Sequence, residues 1–425
     1  MISPLSGIVS HFERVEDPED DAGLVHCYVA DHAFTPMNGR LDRLREGREG
    51  RSGGKGRSDI QAQASALSEG VERYSGVFQK SDPTINARAE ELDGPAILPN
   101  SIQNFSARQI KNRSVEEAEA GGAGWVAEEF DAGKSIDWTP LWSLTEERIK
   151  YLPTANCFYG YGLQRDLHFA RADSNGCAAG NTREEAVLQG FLELVERDAV
   201  ALWWYNRLKR PGVDLDSFND PWFGRIQQHY HGRGREIWLL DLTADMGIPT
   251  FAAISRVIDH QPEHLLFGYG CHFDVRLAAS RAVTEVNQAL ALFPKKTPDS
   301  AAQASMTRKG FEWWPVATVA DHPYLQPDLL AAPCRAVDFG ANTGKDLHDD
   351  VTDCIARAKA RGLEVLVLDQ TRADTGLNVV RVVVPGLRHF WPRLAPGRLY
   401  DVPVQMGWLD QPNAESDLNP AHFFL

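Results

Sequence analysis

The sequence predicts an α/β (α+β) domain with mixed sheets and packed helices. Three observations predict it: five apolar runs of strand length, three segments with apolar residues at helical spacing, and turn-forming residues between them. At 425 residues the chain is long enough for a substantial core.

From Gly7 to Thr35, short strands GIVSHF and HCYVAD are divided by the acidic turn EDPEDDAG. Arg40 to Arg57 packs basic residues among glycines, and is either a solvated loop or one that closes over phosphate. A helix over Ala62 to Ser75 has Leu67, Val71 and Tyr74 on its apolar face and Ser65, Glu69 and Glu72 opposite. A longer helix starts at Asn181 or Thr182 as cap and ends before Pro211, with Leu188, Leu192, Val195, Ala199 and Leu202 inward. A third spans 277 to 291 around Val283, Val286 and Leu290. The strands are EIWLLDL (236–242), TFAAISRV (250–257), HLLFGYG (264–270), LEVLVLDQ (363–370) and NVVRVVVPG (378–386), whose apolar runs suit burial. Trp203, Trp204 and Tyr205 either complete the core or form the aromatic surface of a homodimer.

Composition excludes several classes. A net charge of −15 disfavours nonspecific nucleic-acid binding. No segment supplies the roughly 20 apolar residues of a membrane span, and the cytoplasm is the expected compartment. The six cysteines lie far apart with no CxxC pair, which points to free, buried thiols rather than zinc or a redox dithiol.

The polar stripes carry the chemistry. Glu69 and Glu72 share one helix face; Glu185, Gln189, Glu193 and Glu196 line another, directly after the small-residue turn DSNGCAAG; Arg281, Glu285 and Gln288 line a third. Each stripe alone is compatible with a solvated surface, and Arg281–Glu285 with an exposed intrahelical pair. Gathered in a cleft, glutamates offer hard oxygen ligands to magnesium and arginines a planar fork to phosphate. Carboxylates facing a triphosphate would repel it unless Mg²⁺ bridges them. Standard nucleotide signatures are absent: SGGKGRS has the composition of a phosphate loop without its residue order. His168, His264 and His272 lie near these segments without ligand spacing.

GGKGRSDIQAQASALSEGVERYSG, SNGCAAGNTREEAVLQGFLELVERDAVALWW and SRAVTEVNQA, in this order, resemble the YcaO family of ATP-dependent enzymes acting on peptide backbones. The likeness runs from about residue 53 to the C-terminus. It implies a short N-terminal extension (1–52) and a YcaO catalytic domain (53–425) whose sheets and helices enclose a Mg·ATP site. FWPRLAPGRLYDVPVQMGWLDQP is similar, more narrowly, to members that form thiazole and oxazole rings. The resemblance implies that Glu69 and Glu72 make one half of a metal cluster and Glu193 and Glu196 the other. Glu185 and Glu285 join the magnesium and phosphate shell, Lys55, Arg197 and Arg281 contact phosphates, and Ser65, Asn181 and Gln189 make polar contacts to the nucleotide.

The activity implied is ATP-dependent cyclodehydration of Cys, Ser or Thr in a ribosomally synthesised precursor peptide. The side chain attacks the preceding amide carbonyl, ATP phosphorylates the oxyanion, and loss of phosphate leaves a thiazoline or oxazoline. No residue is assigned as general base. The alternatives are thioamidation or amidine formation by the same activation, and a noncatalytic peptide-presenting or assembly subunit. The chain departs from the ring-forming pattern in two places. It ends LNPAHFFL rather than in a PxPxP tail, leaving the Leu425 carboxylate or His422 to take that tail's place. Residues 1–52 are also too few for the fused E1-like domain of some relatives. A separate leader-binding partner, E1-like or RRE-containing, is therefore expected, with a flavin-dependent azoline dehydrogenase as a further partner.

Overall fold

The computed structural model describes residues 2, 7–15, 23–32, 50–119, 124–165, 167–292, 313, 316–340, 344 and 346–423. Three sheets organise them. The first joins β1 (His11–Arg14), β2 (His26–His32) and β3 (Gly50–Gly56) in that order. The largest has the order β4-β5-β11-β12-β7, with β6 paired to β5: β4 (Ile85–Ala87), β5 (Ile136–Ser143), β6 (Arg148–Pro153), β7 (Cys177–Gly180), β11 (Leu366–Asp369) and β12 (Asn378–Val383). The third has the order β10-β9-β8, from β8 (Arg235–Asp241), β9 (Thr250–Val257) and β10 (Leu266–Cys271). Every strand pairing within these sheets is antiparallel, so helices and sheet are mixed in the fold but strand directions are not.

The glycine-rich run from Arg40 divides. Residues 40–49 lie outside the described residues; GRSGGKG is not a loop but β3, paired residue for residue with β2. Its glycines are there for close approach. A Cβ on Gly54 would lie 2.1 Å from the Ala62 carbonyl oxygen and 2.3 Å from the Ala66 nitrogen of the helix above. That helix, α1 (Asp59–Ser75), is capped by Ser58 and buries Ala62, Ala66, Gly70, Val71 and Ser75. The expected face of Leu67, Val71 and Tyr74 is thus corrected: only Val71 is buried, because a helix lying directly on a glycine strand packs through small residues. A G54A variant should lose about 1–3 kcal/mol through overpacking, read as a lower urea midpoint with an unchanged slope. An unchanged midpoint would show that α1 can lift off β3 freely.

Helix α2 (Arg183–Asn206) is capped by the Thr182 hydroxyl, which accepts from the Glu185 N–H. It joins two cores. Its first half packs Leu188, Phe191 and Val195 against Val380 and Val382 of the large sheet. Its second half packs Trp203, Trp204 and Tyr205 among Ala252, Ile254 and Phe267 of the third sheet and Phe423 of the tail. The three aromatics are buried, which removes them as a dimer surface. On the opposite face of the third sheet lie α3 (Pro221–Gly232) and α4 (Val275–Leu292). Two further helices, α5 (Leu347–Ala360) and α6 (Arg398–Gln405), complete the elements used below. The five expected strands from residue 236 onward are present, with HLLFGYG shifted to β10 and the last two runs trimmed to β11 and β12; of GIVSHF only His11 and Phe12 fall in a strand, β1, and residues 16–22 of the acidic turn lie outside the described residues. All six cysteines are free and five are buried. No described helix is long and apolar enough to cross a membrane.

Candidate active site

The burial pattern of α2 shows how a site is cut into a core helix. From Glu185 to Asn206 only Glu185, Gln189, Glu193, Glu196 and Arg197 are not buried. On α4, from Ala278 to Leu290, only Arg281, Glu285 and Gln288 are not buried. These are the stripes read from the sequence, and they face not bulk solvent but a cleft of about 830 Å³. The third wall is β3 and α1, which bring Lys55, Ser65, Glu69 and Glu72. Eleven of the twelve residues singled out therefore line one cleft. Asn181 does not line it; its backbone N–H and side-chain amide both donate to the Glu185 carboxylate, at 2.7 and 3.0 Å, and hold that group from behind.

The pairings across the cleft differ from expectation. Arg281 does not bond Glu285 one turn along α4. It reaches Gln189 on α2 at 2.7 Å and the Cys271 carbonyl at 3.2 Å. Glu285 instead accepts from Lys55 Nζ at 2.6 Å and from the Tyr269 backbone N–H, tying β3, α4 and β10 together. Glu193 pairs with Arg197 at 2.6 Å. Glu69 accepts from the Gly53 N–H at 3.0 Å and from Arg73 at 2.9 Å, and Arg73 stands 3.7 Å from Glu72. Arg73 and Tyr269 are lining residues that sequence reasoning missed. Arg73 was legible as the i+4 partner of Glu69; Tyr269 sits in an apolar strand with no local signal. None of His168, His264 and His272 lines the cleft.

Among the described residues no three His, Cys, Asp or Glu side chains converge as a ready-made metal cluster. The electrostatics nevertheless ask for a cation. Burial pushes Glu72 well above the usual carboxylate range, opposed by Arg73 and reinforced by Glu193 and Glu69. Burial likewise raises Glu193, against the pull of Arg197, and raises Glu196, with Glu285 adding to it. Glu196 is the acid to which no hydrogen bond or ion pair ties a described neighbour. Arg197 stacks at 4.4 Å on Phe390, and its buried Nε has no partner. Crowded carboxylates beside a guanidinium whose Nε is unpaired suit a divalent cation carrying phosphate oxygens.

Residues 53–388 match the family described as YcaO cyclodehydratase, ATP- and Mg²⁺-binding. The chain belongs to that family. A heterocyclase solved in complex with substrate and cofactor is 48% identical, with a TM-score of 0.91 over 100% of this chain and 56% of that one. The heterocyclase TruD is 47% identical, with a TM-score of 0.77 over 86% of this chain and 50% of its own. YcaO from Methanopyrus kandleri, solved with AMPPCP and Mg²⁺, shares the fold at 21% identity and a TM-score of 0.61, covering 92% of this chain and 91% of that one. This YcaO chain thus spans about half the length of the two heterocyclases it matches. ATP and Mg²⁺ are its cofactors.

The raised carboxylates make pH a test of the YcaO cleft. In the metal-free protein Glu72, Glu193 and Glu196 bind protons more tightly folded than unfolded, so stability is present at low pH and falls as pH rises from about 4 upward. Bound Mg²⁺ needs the ionised forms. Nucleotide affinity with Mg²⁺ should therefore rise from pH 6 to pH 8, with proton release visible by calorimetry in buffers of different ionisation enthalpy. Binding that is flat across that range, with no proton release, would contradict this account.

Proposed function

We propose that this chain carries out ATP-dependent cyclodehydration of Cys, Ser or Thr residues in a ribosomally made precursor peptide, with residues 53–425 acting as one catalytic unit. The observation that carries the reading is the meeting of three chemically matched stripes, from α1, α2 and α4, in one cleft. Glu69, Glu72, Glu193 and Glu196 are assigned to magnesium, with Glu185 and Glu285 completing the acidic shell. Lys55, Arg197 and Arg281 are assigned to phosphate oxygens, and Ser65, Asn181 and Gln189 to polar contacts around the nucleotide.

When bound, Mg·ATP supplies the phosphoryl group that makes an amide oxygen able to leave. The protein's part is alignment and charge. Lys55 and Arg281 already bridge separate elements, so exchanging Glu285 and Gln189 for phosphate oxygens costs little reorganisation. Arg197 offers a guanidinium placed 4.4 Å over the Phe390 ring.

We assign recognition of the leader to an E1-like or RRE-containing protein, later oxidation to a flavin-dependent dehydrogenase, and the setting to the cytoplasm. The test incubates candidate precursor peptides with the chain, the leader-binding protein and Mg·ATP, followed by tandem mass spectrometry. ATP-dependent loss of one water per ring, localised to Cys, Ser or Thr, is expected. Exchange of oxygen for sulfur would move the assignment to thioamidation, and water loss localised to a backbone amine would move it to amidine formation. An unchanged peptide that still binds would favour a peptide-presenting role.

A further inference from the structure

Beside the nucleotide cleft lies a second, smaller chamber of about 200 Å³. The two share Ser174 in their walls. On α2, Glu193 faces the cleft and the next residue, Leu194, lines the chamber. Arg381 of β12 lines the chamber and donates through Nη1 to the Cys177 sulfur, a cleft residue, at 3.5 Å. The charge of Asp173, in the chamber wall, adds to what raises Glu193. The chamber therefore lies against the carboxylate end of the cleft, where the reading above places magnesium.

Its lining mixes apolar side chains with polar ones, and several of the polar groups are unsatisfied. Asn156 is 1% exposed, and its Oδ1 has no partner. The amide orientation follows from the network behind it: Gln103 donates to the Phe169 carbonyl at 3.0 Å, so its oxygen faces Asn156 Nδ2 at 3.1 Å and turns Asn156 Oδ1 away. Asn175 Oδ1 is likewise buried without a partner, as is the Nε of Arg381. Asp173 accepts from Arg381 at 3.2 Å. Arg393 is stacked 4.0 Å from Phe105 and 5.6 Å from Trp391, and donates to the Trp125 carbonyl at 3.1 Å. Two lone acceptors and a lone donor suit a group that offers both N–H and C=O. A phosphate or carboxylate has no N–H for the asparagines, whereas a polypeptide backbone supplies both.

We infer that this chamber is the acceptor subsite, holding the peptide amide that is activated, with Asn156 and Asn175 accepting from backbone N–H groups and Arg381 donating to a carbonyl oxygen. The inference rests on the cyclodehydration reading for the identity of the reaction, but not for the identity of the ligand as a peptide. It also accounts for the position of the chamber, because donor and acceptor must meet within about 3–3.5 Å and Ser174 borders both spaces.

The first experiment does not depend on turnover. An N-acetylated, C-amidated synthetic peptide with photo-leucine immediately before a cysteine is irradiated with the full chain and Mg·AMPPCP, and labelled residues are mapped by mass spectrometry. Labelling within residues 171–175 or 387–393, suppressed by excess unlabelled peptide, is expected. Labelling elsewhere, or none, would overturn the subsite and leave a chamber that holds only water. The second experiment uses N156S and N175A. The peptide KM should rise about tenfold or more while Mg·ATP affinity stays within about twofold, since N175A removes an acceptor for the peptide alone and N156S withdraws one by shortening the side chain. Unchanged peptide KM in both would also overturn it. Chamber labelling with Mg·AMPPCP, together with no water loss from the peptide in the separate Mg·ATP incubation described above, would sink cyclodehydration and spare the subsite, so the two failures are distinguishable.

Discussion

An E193Q variant is expected to lose peptide-dependent ATP turnover by about 100-fold or more, the scale on which removal of one preorganised charged or hydrogen-bonding group acts. The substitution keeps the shape of the side chain, and its amide oxygen can still accept from Arg197, which is 2.6 Å away in the parent. What it removes is a negative charge from a group of acids that already raise one another: Glu72 is pushed up by Glu193 and Glu69, and Glu193 by Glu69 and Asp173, after burial in each case. The metal-free variant should therefore melt no lower than the parent, the mark of a residue kept for function at some cost to stability. Phosphate release and calorimetric titration of Mg·ATP read the loss. Turnover within a few fold of the parent, in a folded variant, would remove Glu193 from the magnesium set. A lower melting temperature would make its role structural.

D198A is expected to destabilise the fold by about 3–5 kcal/mol, the cost of leaving a buried charge without its partner. Asp198 is 2% exposed and lies on α2 on the face away from the cleft. Its carboxylate accepts from Arg398 at 2.6 and 3.1 Å and from the Arg388 N–H at 2.9 Å. Arg398, at the start of α6, also bonds Asp245 at 2.7 Å, so the network pins α2 to the C-terminal region and to the segment after β8. Because Arg398 keeps Asp245, the loss should fall toward the lower end, and D198N should lose less by retaining an acceptor for the Arg388 N–H. Urea unfolding measures both. A change within about 0.5 kcal/mol, the range of a surface substitution, would show that the network does not hold α2. Weaker nucleotide binding should accompany the loss, because Glu193, Glu196 and Arg197 ride on the same turns.

The polar stripes of α2 and α4 were legible in the sequence because helical periodicity assigns residues to faces whatever the rest of the chain does. Glu185, Gln189, Glu193 and Glu196 must share a side of any straight helix, and so must Arg281, Glu285 and Gln288. The apolar strand runs from residue 236 onward were legible for the same local reason, and the cap of α2 was narrowed to Asn181 or Thr182, of which the structure uses Thr182. The face of α1 was not, since Leu67 and Tyr74 look like core residues until Gly54 is known to lie beneath Ala62 and Ala66. Nor could the strand character of GRSGGKG be read locally: seven residues with four glycines have little strand propensity, and their pairing with β2 overrides it.

The sequence by itself determined which chemical groups each helix presents, and it carried the family's motifs in order. Only the tertiary structure decided which group meets which. Lys55 finds Glu285 across 230 residues and Arg281 finds Gln189 across 92, in place of the neighbour one turn away. Whether a stripe of acids is a solvated face or the wall of a cleft, and whether Trp203 to Tyr205 are surface or core, likewise depends on what folds over them. Spacing along a helix is a property of the local backbone, whereas contact between elements depends on the path of the whole chain.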